Sequence, residues 1–231
     1  MIRTIFFLLF SFNLYSAELS GHLRAIGNYN NYSLLFDYTS SSRPAVTGES
    51  KQRHNQSFRV GGYYRLFKGT KIGTFLQRES GTYHDDDFEL KMSKEWKNTN
   101  DRFEDIFIFD LTQRKLINNW VAEIKLRYLY NISNKKNYHT LKIRPGLTYF
   151  LMRNGRPWFN LFTHYEVYYP LKNYTKSMIY ESWLYFGGLY HLNNLVKIGS
   201  YIAHQKESWW IEREESSVNS WNLGVLGLFT F

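Results

Sequence analysis

Hydrophobic and polar residues alternate along much of the chain, in short segments separated by polar connections. In the segment 120–130 the even positions are apolar or aromatic, whereas Glu123, Lys125 and Arg127 occupy odd positions. Successive side chains of a β-strand point to opposite faces of the sheet. The pattern therefore predicts a strand with one apolar face and one charged face.

The C-terminal segment 221–231 alternates in the same way and ends on an aromatic residue. Counted back from Phe231, every second residue is apolar or glycine, and this face has Phe229 and Phe231 at one end and Trp221 at the other. Apolar strand faces with aromatic residues at both ends are typical of strands that contact lipid. We interpret the odd positions as lipid-facing and the chain end as periplasmic, so Phe231 sets the direction of every earlier strand.

Turn signals divide the remaining sequence into further strands. Asn154-Gly155 is the clearest signal, since it supplies the positive φ angles of a tight hairpin, and short turns of this kind alternate with longer polar connections. We therefore predict an all-β fold, a transmembrane antiparallel up-and-down β-barrel of about ten strands. The predicted strands are 19–29, 57–67, 70–82, 104–115, 119–130, 138–151, 158–169, 179–191, 195–205 and 219–231. An alternative with twelve strands adds 32–38 and 88–96.

Residues 1–17 predict a secretory signal peptide. Arg3 supplies the basic start, residues 5–10 form a short apolar core, and Ser16-Ala17 provides a small-residue end. The apolar run is too short for a transmembrane helix, which needs about 20 residues. We expect cleavage after Ala17, or after Ser16 as the alternative, and a single barrel domain over residues 18–231.

Composition agrees with this interpretation. The 19 Tyr, 18 Phe and 7 Trp of the 231 residues are many for a soluble domain, and aromatic girdles explain them. The chain has no Cys, which excludes a disulfide scaffold and a thiol nucleophile. No cofactor, resident metal or catalytic residue is predicted.

The signal peptide, the alternating strands and the terminal Gly227-Leu228-Phe229-Thr230-Phe231 resemble those of small outer-membrane β-barrel proteins of Gram-negative bacteria. The resemblance covers nearly the whole chain. It implies a bacterial outer-membrane location, contact with outer-membrane lipid and lipopolysaccharide, and recognition of Phe229 and Phe231 by the barrel-assembly machinery. Size and inward basic residues also give a loose resemblance to small monomeric porins for acidic sugars.

The net charge of +9 raises the question of an anionic partner. Nucleic acid is not expected, because the basic residues are spread along alternating strands without a nucleic-acid-binding motif. A positive interior that attracts a small anionic solute explains the charge better. Arg59, Arg65 and Arg78 are expected to add to it.

Hairpin geometry predicts which interior residues meet, because a turn centre sets the pairing of two strands. The turn near 117–118 predicts Asp110 opposite Lys125, and the Asn154-Gly155 turn predicts Arg144 opposite His164. The connection near 134 places the basic pairs of two neighbouring strands side by side. The predicted lumen-lining residues are Asp110, Glu123, Lys125, Arg127, Lys142, Arg144, His164 and Glu166.

Two interpretations of this interior follow. The basic excess at Lys125, Arg127, Lys142 and Arg144 favours an eyelet that selects anions in a narrow channel. The presence of both charge signs favours an ion-pair network that fills a closed barrel. Such a barrel would be structural or would interact with partners through its surface loops.

The segment from His84 to Asp87 is the most distinctive local cluster of histidine and acidic residues in the sequence. Its residues His84, Asp85, Asp86 and Asp87 form a candidate loop cation site, for example for calcium between lipopolysaccharide molecules. A hydrolytic site at the rim is the third hypothesis, and it needs a second acidic group that the sequence does not offer clearly.

Overall fold

The computed structural model describes residues 17–43, 53–84, 96–132, 139–171, 181–211 and 214–231. In this part of the chain there are eleven β-strands and no helix. The strands are β1 (Ala17–Tyr29), β2 (Tyr32–Arg43), β3 (Arg53–Phe67), β4 (Thr70–His84), β5 (Trp96–Ile117), β6 (Trp120–Asn131), β7 (His139–Arg153), β8 (Arg156–Pro170), β9 (Glu181–His191), β10 (Val196–Ile211) and β11 (Glu214–Thr230).

The strands form one closed barrel in which each strand pairs with its neighbours along the chain. Those pairs are antiparallel, whereas β1 and β11 close the barrel as a parallel pair, from Ala17 opposite Trp221 to Ile26 opposite Thr230. At the end of this seam the Asn28 amide donates to the Phe231 carbonyl at 2.9 Å. An odd number of strands in up-and-down order makes the first and last strands run in the same direction.

The parallel seam corrects the predicted even, fully antiparallel barrel. The additional strand is β2, which corresponds to the segment 32–38 of the twelve-strand alternative and pairs with both β1 and β3. Of the other alternative strand, residues 88–95 lie outside the described residues, and Trp96 begins β5. The ten-strand assignment omitted β2 because, in a barrel with an even number of strands, the long connection between β2 and β3 would lie at the periplasmic end. Since β1 runs parallel to β11, that connection lies at the opposite end.

Tight asparagine and glycine turns join the strands at one end of the barrel. Asn30, Asn118 and Asn154 each have a φ of 52°, and Gly69 and Gly155 have φ angles of 84° and 74°. These are left-handed conformations that asparagine and glycine adopt more readily than other residues. We call this end, which also holds Phe231, the turn end. The opposite end, which holds Ala17, is the loop end.

The outer face of the barrel is apolar and the inner face is largely polar. Large apolar side chains exposed on the outer face include Leu23, Leu34, Val60, Leu76, Phe107, Ile124, Leu147, Phe186, Ile198 and Val225. Buried polar side chains include Ser20, Asp37, Asp110, Thr112, Lys125, Arg127, Asn160, Glu166, Gln205, Ser220 and Asn222. This distribution is the reverse of the usual arrangement in water, where large apolar side chains are buried and charged ones are exposed.

Among the described residues, no helix is long and apolar enough to cross a membrane.

Apolar residues also occupy part of the interior, in two separate clusters. The first consists of Leu35, Tyr63, Phe75 and Ile108 on β2 to β5, and the second of Phe162, Tyr201 and Ala203 on β8 and β10. Between the clusters the inner face of β5 to β8 carries charged side chains. Tyr63 of the first cluster contacts this charged face directly, because its hydroxyl donates a hydrogen bond to Asp110.

Candidate functional site

Four neighbouring strands carry the charged groups that meet inside the barrel. We call Asp110, Arg114, Glu123, Lys125, Arg127, Lys142, Arg144 and Glu166 the interior charge network. On β6 and β7, Lys125 lies opposite Arg144 and Arg127 lies opposite Lys142. The predicted pairing of these four basic residues is confirmed by this register.

Asp110 on β5 is the most deeply buried member of the network, with 0% of its surface exposed. The guanidinium of Arg127 binds it through two hydrogen bonds, from Nε at 2.6 Å and from Nη2 at 2.8 Å. The Tyr63 hydroxyl donates to the same carboxylate at 2.9 Å, and Lys125 Nζ lies 3.6 Å from it. Charge-assisted bidentate pairs of this kind are among the stronger hydrogen bonds in proteins.

Arg144 on β7 connects two further carboxylates. Its Nη2 donates to Glu123 at 2.7 Å, and its Nη1 lies 3.6 Å from Glu166. Glu123 also binds Arg114, and Glu166 also binds Lys142. Arg114, Glu123, Arg144, Glu166 and Lys142 therefore form a continuous series of ion pairs from β5 to β8, whereas the contacts of Asp110 form a separate group within the network.

A second ion-pair group lies on the inner faces of β1 to β3. Asp37 accepts hydrogen bonds from Arg24 at 2.8 and 3.3 Å and also binds Arg59. Each of the four carboxylates of these two groups is thus held by two cations, and seven cationic side chains share four carboxylates. A local excess of positive charge follows from this arrangement.

The sequence predictions missed Arg24, Asp37 and Arg114 as interior residues. Asp37 lies on β2, which the ten-strand assignment omitted. The alternation of this segment, in which Leu34 and Phe36 are exposed on the outer face, could have identified Asp37 as an interior residue. Arg78 shows the opposite error, because it lies on the outer face and pairs with Asp105 at 2.7 Å.

Two predicted pairings are wrong by two residues. Asp110 lies opposite Arg127, because the turn is centred on Asn118-Asn119, one residue later than predicted, and a shift of the centre by one moves each partner by two. On β7 and β8, His164 lies opposite Gly146, since a register shift follows Leu151. Shifts by two leave every side chain on its predicted face, which explains why the same charged residues still meet.

His164 lies over a glycine of the neighbouring strand. A Cβ atom at Gly146 would be 2.3 Å from His164 Nδ1, so only glycine allows this close approach. The imidazole stacks on Phe162, with ring centroids 5.1 Å apart. Its Nδ1 is buried and has no hydrogen-bond partner among the described residues.

The candidate loop cation site is only partly covered. His84 ends β4 and its backbone pairs with Trp96, whereas Asp85, Asp86 and Asp87 lie outside the described residues. Within the described part of the chain, no group of three or more His, Cys, Asp or Glu side chains could hold a metal ion. The loop site therefore stays a prediction.

The two terminal aromatic residues lie on the outer face at the turn end. Phe229 is 38% exposed and Phe231 is 69% exposed. The Phe231 amide donates to the Ile26 carbonyl at 2.8 Å. Both rings are therefore accessible from outside the barrel, while the backbone takes part in its closure.

No protein-family model matches the chain, and neither does any curated protein or solved structure. The fold and the site themselves define the class: over its described residues the chain is a closed, eleven-stranded all-β barrel with an apolar outer face and a paired charge network inside.

Proposed function

We propose that the protein is a bacterial outer-membrane β-barrel that acts as a narrow, monomeric channel with a weak preference for small anions. The observation that carries this proposal is the sharing of four interior carboxylates by seven cationic side chains.

Surface chemistry and strand length support the membrane location. The outer face of the barrel is apolar, and buried polar residues face inward, as in barrels that are surrounded by lipid. The shortest strand, β9, has 11 residues, and a membrane-spanning strand needs about 9–11. Among the described strands, closure leaves no edge unpaired, which is a requirement for strands that lie in the hydrocarbon region of a membrane.

The pairing of charges explains why the preference for anions is weak. Each carboxylate compensates part of the positive charge of its two cations, so only the excess acts on a passing ion. Channels select ions through rings of charged side chains in this way.

The exposure of the network indicates a narrow passage. Lys125 is 7% exposed, Arg127 is 8% exposed and Asp110 is fully buried. Side chains almost fill the interior of an eight-stranded barrel, and eleven strands leave only somewhat more room. We therefore expect passage of small ions and small solutes, and not of large ones.

Single-channel recording in planar lipid bilayers tests the proposal directly. Purified full-length protein in a potassium chloride gradient is expected to give small conductance steps and a reversal potential of the sign for anion preference. The absence of steps, or a reversal potential of the sign for cations, would contradict it.

A closed structural or surface-interaction barrel is the second candidate. The specific observation in its favour is the complete burial of Ile108, Asp110 and Thr112 on the inner face of β5. This candidate predicts no conductance and no swelling of proteoliposomes in solutions of small sugars. Swelling that depends on the protein would exclude it.

A further inference from the structure

The turn end of the barrel carries basic side chains and no acidic ones. The five turns that join the strands there, 27–35, 63–73, 113–122, 150–159 and 189–198, are fully described and contain no Asp or Glu. Their basic residues are Arg65, Lys68, Lys71, Arg114, Lys115, Arg153, Arg156 and Lys197. The 20 acidic residues of the chain therefore all lie elsewhere in the sequence.

Two pairs of these cations lie directly opposite each other in the strand register. Arg65 of β3 pairs with Lys71 of β4, and Arg153 of β7 pairs with Arg156 of β8. Like charges at directly opposite positions of an antiparallel pair repel each other and destabilise it. A negatively charged partner at the turn end would relieve this repulsion.

Most of the basic side chains at this end are free to bind such a partner. Arg114 is bound by Glu123, and Nζ of Lys71 lies 4.0 Å from the centroid of the Tyr63 ring. Five others are exposed and form no ion pair with any described residue, and we call them the basic rim: Arg65, Lys68, Lys115, Arg153 and Arg156.

Exposed apolar side chains accompany the basic rim and indicate what kind of partner fits it. Three turns place them beside a cation: Leu66 and Phe67, Leu116 and Ile117, and Met152 and Trp158. A water-soluble anion would leave these side chains in water. A membrane surface takes up apolar side chains and binds neighbouring cations at the level of its headgroups. The combination therefore favours an anionic lipid surface.

The basic rim extends along the barrel wall and is not a single point. Its turns join β3 to β4, β5 to β6 and β7 to β8. Neighbouring strands lie about 4.8 Å apart, so successive turns of the rim are about 10 Å apart. Each turn can therefore bind a lipid headgroup of its own.

We propose that the basic rim binds the anionic headgroups of phospholipids in the leaflet at the turn end. The inference rests on the membrane location in the proposed function, and it does not depend on conduction of ions. A headgroup such as that of phosphatidylglycerol supplies a negatively charged phosphodiester, whose two oxygen atoms match the parallel donors of a guanidinium. In the orientation expected from Phe231, this leaflet is the periplasmic one.

Electron spin resonance of spin-labelled lipids tests the proposal with the full-length protein in phosphatidylcholine vesicles. Lipids in contact with the barrel give a motionally restricted spectrum, so the restricted fractions of labelled phosphatidylglycerol and labelled phosphatidylcholine give their relative affinity for the barrel surface. A cation near an anionic headgroup contributes about a fivefold preference at its own position. Because the signal averages over the whole lipid shell, we expect about a twofold preference for phosphatidylglycerol. It should disappear in about 1 M salt, where the Debye length is about 3 Å.

Charge-removing variants locate the effect. Glutamine at all five positions of the basic rim should make the two affinities equal. Arg153→Gln combined with Arg156→Gln should lower the preference, and this pair provides the test if the variant with five changes does not fold. Arg78→Gln combined with Lys206→Gln is the matched control, because it removes two exposed charges from the loop end and should leave the preference unchanged.

Three results would overturn the proposal. These are equal affinities of the two lipids for the parent protein, equal effects of the two double variants, and binding of soluble polyglutamate to the basic rim in place of phosphatidylglycerol. The last result would assign the rim to a soluble acidic partner.

Failure of the membrane location gives a different signal. A protein outside the bilayer restricts neither labelled lipid, whereas a barrel inside the bilayer that lacks the lipid site restricts both to the same extent. The first result rejects the proposed location, and the second rejects only the role of the basic rim.

Discussion

The hydroxyl of Tyr201 on β10 lies 2.6 Å from Nε2 of His22 on β1, although β11 separates the two strands. The tyrosine ring crosses over Gly224 of β11, where a Cβ atom would be 2.1 Å from its Cε1 atom. His22 Nδ1 in turn lies 3.0 Å from Thr39 Oγ1 on β2. This interaction ties four strands together across the parallel seam.

Gly224→Ala is expected to destabilise the barrel, because the added methyl group occupies the space of the Tyr201 ring. Overpacking of this kind costs about 1–3 kcal/mol. Urea unfolding of the protein in detergent micelles measures the change. Gly27→Ala is the control, since a Cβ at Gly27 meets no atom within 4 Å. Equal unfolding midpoints for the two variants would argue against the close contact at Gly224.

Tyr201→Phe keeps the ring and removes the hydroxyl that bonds to His22. The loss of one buried hydrogen bond is expected to lower the free energy of unfolding by about 1 kcal/mol. Tyr29→Phe serves as the control, because Tyr29 is 76% exposed. If Tyr29→Phe lowers the free energy of unfolding as much as Tyr201→Phe does, the hydrogen bond at the seam makes no specific contribution to stability.

Asp110→Asn tests the interior charge network. The change leaves Arg127 and Lys125 buried without their carboxylate, and breaking a buried ion pair costs about 3–5 kcal/mol. Asp105→Asn removes the partner of Arg78 on the exposed outer face, where an ion pair contributes about 0–1 kcal/mol. Urea unfolding midpoints are expected to separate the two variants clearly. Similar midpoints would contradict a buried network.

Arg114→Gln tests the charge that sets ion preference. Its side chain is 50% exposed and binds Glu123, so the barrel should still fold. Removal of one charge at roughly 10 Å in water changes an ion's energy by about 0.4 kcal/mol, or about twofold in relative permeability. The reversal potential should move towards zero in Arg114→Gln and stay unchanged in Arg78→Gln, which alters the outer face. A shift only in Arg78→Gln would place the selective charge elsewhere.

Labelling tests the direction of β1. The chain contains no Cys, so single cysteines report their own position. If the turn end faces the periplasm, a membrane-impermeant maleimide should label Glu18→Cys on whole cells, because β1 starts at the loop end. Asn119→Cys, in a turn at the other end, should be labelled only after the outer membrane is opened. The reverse pattern would exclude this orientation.

The sequence by itself predicted which face of β6, β7 and β8 is polar. Alternation with a period of two is a local property of each strand. The charged side chains of β6, β7 and β8 lie on the inner face, as the alternation of each segment predicted. A pairing error of two residues cannot change this facing, so the same charged residues were expected inside the barrel. The Asn154-Gly155 turn could also be predicted from the sequence, because asparagine and glycine adopt the positive φ angles of such a turn more readily than other residues.

Only the tertiary structure decided how the barrel closes and which charges pair. The β1–β11 seam joins residues about two hundred positions apart, and no local signal specifies whether such a pair is parallel. The partner of Asp110 depended on the exact centre of a turn, and the Asp37 group depended on whether β2 exists. Alternation is set by the covalent geometry of one strand, whereas closure and register are set by packing among all the strands, which a local pattern does not contain.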